Sequence, residues 1–99
     1  MFYNIGNMFF IMNNSIELSL RSALKKVTGA IERHERNEVV PLSIQLLSQV
    51  KKELEEMFRI MNPDIYMPGY SRFILDYHDD EGLAEELVNV AYQYGKINN

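Results

Sequence analysis

Residues 41–63 read PLSIQLLSQVKKELEEMFRIMNP, and their apolar side chains recur at the interval of an α-helix. Leu42, Leu46, Leu47, Val50, Leu54, Met57, Phe58 and Met61 mark a broad face, within which positions 47, 50, 54, 57 and 61 step by three and four. That heptad-like rhythm suits packing along another helix at a shallow angle. Lys51, Lys52, Glu53, Glu55, Glu56 and Arg59 form the wet side. Pro41 suits the first turn, where its missing N–H has no intrahelical partner to lose. Asn62-Pro63 marks the stop, because Asn tolerates a left-handed cap and Pro cannot extend a helix.

Upstream, Ile16, Leu20, Leu24, Val27, Ile31 and His34 lie on one stripe of a second helix. Asn14 and Ser15 are good N-caps, and Glu17 follows Asn14 at the capping-box spacing. These signals predict a helix from Ser15 to about Arg36, ending near Asn37. Gly29 inside it costs roughly 1 kcal/mol against Ala, which points to a close crossing by another helix. The two helices should pair as an antiparallel hairpin.

The preceding stretch, MFYNIGNMFFIM at 1–12, is apolar and uncharged. It lacks the basic region and small-residue cleavage site of a secretory signal. Asn4, Gly6, Asn7 and Asn13 interrupt it well short of the ~20 apolar residues of a membrane span, so the expected location is the cytoplasm. Two readings stand side by side. Either Phe9, Phe10 and Ile11 fold onto the core or form a strand or short helix at a dimer interface, or translation begins at Met8 or Met12. An intact-mass measurement on natively expressed protein separates them.

Downstream, residues 62–80 read NPDIYMPGYSRFILDYHDD, with two prolines, a Pro-Gly pair and three tyrosines. Such a stretch is a structured connection rather than a flexible one. A short helix begun at Tyr70 or Ser71 is favoured over a strand, since no second strand exists to pair with it. Asp79 and Asp80 then cap a final helix, with Glu81 in its first turn where the dipole favours negative charge. Leu83, Leu87, Val90, Ala91 and Tyr94 supply its apolar stripe, and Gly95-Lys96 ends it. The expected fold is a single all-α domain over 1–99, a small helical bundle made of a long hairpin, a short helix and a C-terminal helix.

The chain's 99 residues are 46% hydrophobic and 24% charged, which is globular rather than disordered composition. Cysteine is absent, so a disulfide framework, Cys-ligated zinc and a thiol nucleophile are excluded. The net charge of −4 is uneven. Residues 1–61 carry eight basic and seven acidic side chains, residues 62–99 two and seven. A surface built to neutralise phosphates is not expected. The basic residues Arg21, Lys25, Lys26, Arg33 and Arg36 are interleaved with Glu17, Glu32, Glu35 and Glu38, and Glu32 and Arg36 fit an i,i+4 pair.

No catalytic constellation emerges. The serines have no G-x-S-x-G elbow, and Gly69 and Gly82 stand alone rather than in a phosphate loop. His78-Asp79-Asp80-Glu81 contains metal-ligand types, but consecutive side chains diverge, and neither zinc-enzyme nor EF-hand spacing is present. Glu55-Glu56 and Glu85-Glu86 lack the inward Glu-x-x-His pairs of di-iron bundles. His34 reads as a core-boundary residue near a helix end. No catalytic residue, metal ligand or cofactor is therefore expected.

What remains is rigid aromatic area with polar handles, of the kind enriched at protein interfaces. Tyr66, Met67, Tyr70, Phe73 and Tyr77, with the flanking Asp79 and Asp80, form the candidate interaction surface. The bland alternative is that these aromatics close the open end of the bundle. The expected activity is a non-enzymatic protein–protein interaction module, with a second copy or a small protein as partner and no nucleic acid. A ligand- or metal-binding protein using His78, Asp79, Asp80 and His34 is a second reading, and a regulator that contacts nucleic acid through the first helix is a third and weaker one.

In size, helix count and layout the chain is similar to small bacteriocin-immunity proteins of Gram-positive bacteria. The stretch from Val40-Pro41-Leu42 to Leu54 carries the likeness, which covers about half of the chain and contains no diagnostic motif. The Pro- and Tyr-rich connection at 62–78 has no counterpart in that group. The resemblance implies an immunity-type binding protein.

Overall fold

A Schellman motif closes the first helix. Asn37 takes a left-handed φ of 64°, its N–H bonds the His34 carbonyl, and the Glu38 N–H bonds the Arg33 carbonyl, both at 2.9 Å. The helix so ended, α1, spans Tyr3–Glu35. Our computed structural model describes the backbone of residues 3–72, 74–76 and 79–97, and side chains from Ser15 onward apart from Leu75. α1 starts far upstream of the expected Asn14–Ser15 cap. A capping signal matters only where upstream N–H groups lack helical partners, and here the helix runs through it.

The second helix, α2, spans Ile44–Ile60. Pro41 lies before it rather than in its first turn. Ser43 is the N-cap, its side chain accepting from the Leu46 N–H at 3.2 Å. Leu42 and Leu47, both buried, occupy the N′ and N4 positions of a hydrophobic staple. At the far end Met61, not Asn62, is left-handed, with φ 51°. Pro63 biases Asn62 toward extended backbone, so the reversal falls one residue earlier. Asn62 instead nucleates the following turn: its side chain accepts from the Asp64 N–H at 2.9 Å, and its carbonyl from Ile65 and Tyr66.

The connection contains two short 3₁₀ turns, Tyr70–Arg72 and Ile74–Asp76, and no strand among the described residues. The last helix, α3, spans Leu83–Gly95. Gly82, with φ 82°, holds the cap position and has no side chain to donate to. Asp79 supplies the missing acceptor, binding the Glu81 N–H at 3.0 Å and the Ala84 N–H at 2.6 Å. Glu81 lies just before α3, and Glu85 and Glu86 take the first-turn places.

α1 is the shared partner of both other helices. Arg21 stacks over the Phe58 ring at 4.9 Å and His34 bonds the Leu42 carbonyl at 2.7 Å, so α2 runs antiparallel to α1. Lys26 meets Glu86 and Arg33 meets Glu81, so α3 is antiparallel to α1 as well. The hairpin expected from the sequence is present. Its buried line on α1 is Ile16, Leu20, Ala23, Val27 and Ala30, with Leu24 and Ile31 only partly covered. Small residues at the centre let two helices approach one side of α1 together. Gly29 is not at a close crossing, since a Cβ there would meet nothing within 4 Å.

Candidate functional site

The sequence places Glu53 on the wet side of α2, but it is only 6% exposed. One carboxylate oxygen accepts from the backbone N–H groups of Gly69 and of Tyr70, the latter at 3.0 Å. The other accepts from the Gln49 amide at 2.8 Å. A carboxylate can accept several bonds at once, and buried N–H groups need acceptors. Glu53 thereby anchors the connection to α2. A signal existed: 46, 50, 53 and 57 step by four, three and four along the buried arc.

Behind that anchor lies Tyr70, fully buried, with its hydroxyl donating to the Leu87 carbonyl at 2.7 Å. Burial, and secondarily the Glu53 charge, push its phenol well above the ordinary value of 10. Tyr94, also fully buried, donates to the Tyr66 carbonyl at 2.9 Å and accepts from the Asn62 N–H at 3.3 Å. Its phenol, and that of half-buried Tyr66, are raised chiefly by burial. These tyrosines tie the 62–70 connection to α3.

The expected interaction surface is therefore divided. Tyr70 belongs to the core, and Tyr66 lends its backbone to it. Met67 is 53% exposed. Asp79 is engaged in starting α3, and Asp80 is exposed. Phe73 and Tyr77, like His78, lie outside the described residues. His34, half-buried at the end of α1, joins helix end to loop as a boundary residue. Among the described residues no group of three His, Asp or Glu side chains is placed to hold a metal ion.

A groove of about 470 Å³ runs between α1 and the start of α3, lined by Lys26, Gly29, Arg33, Arg36, Glu81 and Glu86 among others. Arg33 grips Glu81 with two guanidinium donors at 2.8 and 3.2 Å and reaches Glu38 at 3.3 Å. The Glu81 pair raises the Arg33 pKa, and the Arg36 guanidinium lowers that of Glu38. Arg36 turns to Glu38 rather than to Glu32. Four of the five Lys and Arg residues between 21 and 36 thus pair with carboxylates, counting Arg21 with Glu17. The groove is lined by both signs, so neither a polyanion nor a polycation meets a one-sign surface there.

One more apolar surface comes from the length of α1. Its 33 residues make a rod of about 50 Å, against about 25 Å for the 17 residues of α2. By the antiparallel register, Met61 and Ile97 stand level with Ile16, and both pack against the core cluster to which Ile16 belongs. Residues 3–14 of α1 therefore project past the bundle. The molecule measures 55 × 22 × 21 Å, its long dimension set by this helix. Tyr3, Ile5, Met8, Phe9, Phe10, Ile11 and Met12 lie in the projecting turns, which hold no charged residue. No described helix is long and apolar enough to cross a membrane.

No protein-family model, curated protein or solved structure matches this chain.

Proposed function

We propose that this chain is a non-enzymatic interaction module that works as a homodimer joined through the projecting turns of α1. The observation that carries this reading is the continuity of one apolar line. Positions 5, 9, 12, 16, 20, 23, 27 and 30 advance 25 residues in seven steps, about 3.6 per step, so they stay in register along a straight helix. From Ile16 to Ala30 the line is buried by α2 and α3. Ile5, Phe9 and Met12 continue it beyond the reach of either helix.

A second copy is the occupant favoured by chemistry and area. An uncharged apolar helix pairs with another without leaving buried charge unmatched. Seven of the twelve projecting positions are apolar or aromatic, and a small stable interface needs roughly 600 Å² per partner.

Sedimentation of the full chain tests the proposal. The expected result is a dimer for the wild-type chain and a monomer of unchanged helicity for Phe9→Glu, since position 9 lies outside the bundle. A wild-type chain that stays monomeric at high micromolar concentration overturns it.

A further inference from the structure

We infer that the two copies join antiparallel, each projecting helix lying over the end of its partner's bundle; this rests on the homodimer reading above. The geometry of one chain decides the direction. The line that continues through Ile5, Phe9 and Met12 is the same line that α2 and α3 cover from Ile16 onward. A packed helix lies about 8–10 Å from its neighbour's axis. A parallel partner on that line would carry its own α1, unbroken through Glu35, straight into the space held by α2 and α3. The bundle is 22 × 21 Å across, so the space is filled. An antiparallel partner leaves in the opposite direction and meets no such obstacle.

In that arrangement the twelve projecting residues of each chain overlap over about 18 Å. Tyr3 of one helix then comes level with residue 14 of the other. There the bundle end is built by the Asn62–Tyr66 turn and the last turn of α3, held together by the Tyr94 hydroxyl. This end displays Ile65, 72% exposed, on a turn that the Tyr94 hydroxyl holds in place. An exposed apolar side chain on an anchored turn makes a seat for the tip of an apolar helix. Ile65 is thus the contact for the partner's α1, whereas Met67 packs beside Gly95 in a separate groove on α3 with Val88, Ala91 and Tyr92.

The chain has no cysteine, so introduced thiols report the direction directly. A disulfide needs Cα atoms within about 7 Å. Antiparallel overlap sets position 5 opposite position 12, whereas parallel pairing sets each position opposite itself. Full-length Ile5→Cys and Met12→Cys chains, mixed and oxidised, should give the covalent dimer, and either variant alone should give little. Rapid linking of Ile5→Cys to itself, without the mixed product, overturns the antiparallel arrangement and leaves the homodimer standing. A dimer in sedimentation that forms neither product also overturns the arrangement. A monomer in sedimentation removes the homodimer reading and this one with it.

Discussion

Glu53 and Tyr70 work as a pair across the interior. The carboxylate receives the backbone of the connection, and the tyrosine that follows pushes its ring into the core and its hydroxyl onto α3. Because burial disfavours the phenolate, the folded chain holds the Tyr70 proton to higher pH than the unfolded chain does. Above about pH 10 the unfolded chain alone releases it, so stability falls as pH rises, by about 1.4 kcal/mol per pH unit for such a group. Tyr70→Phe should lose about 1 kcal/mol at neutral pH, the worth of its hydrogen bond. It should also lose less on moving from pH 9 to pH 11 than the wild type, as denaturant titrations at the two pH values will show. Of the two roles only that of Glu53 left a trace in the sequence, its place on the 46-50-53-57 arc of α2. Glu53 carries a charge, which argues for solvent, and Tyr70 sits in a segment with no period to tell inside from outside.

α1 shows how local signals compete within one element. The Asn14-Ser15-Glu17 pattern argues for a start, yet the apolar line argues for continuation, and the line extends through the projecting turns. Gly29 shows a second conflict. It has no neighbour that a methyl group would strike, and its backbone is helical, so its cost in helix propensity brings no packing benefit. Gly29→Ala should therefore stabilise the fold by about 1 kcal/mol, raising the melting temperature by about 4–8 °C for a domain of this size. A thermal scan checks it, and a lower melting temperature would reveal a close approach at that position. α2 was more legible, because Leu47, Val50, Leu54 and Met57 are all fully buried as their spacing implied.

At the scale of the molecule, the shape is that of a short bundle on a long rod. The 55 Å dimension comes from α1, and the 22 × 21 Å section from the bundle around its C-terminal half. Two such molecules overlapped by about 18 Å reach about 90 Å, whereas two lying side by side keep the length of one. Small-angle scattering on the dimer should therefore report a longest dimension near 90 Å. A value near 55 Å would count against the end-overlapped arrangement. The bacteriocin-immunity likeness concerns the hairpin layout, and the projecting turns and the tyrosine-rich connection fall outside it.

Periodicity was enough to read the all-α class, the antiparallel hairpin and the place of the final helix. Each of those follows from side-chain spacing along a single element, which is a local property. The tertiary structure alone decided which positions are covered and which are left over. Ala23 and Ala30 are buried because two helices converge on them, and Glu53 because a connection folds across it. Residues 3–14 overhang because α2 and α3 are too short to follow α1. Burial depends on what lies opposite, and no residue's own spacing contains that information.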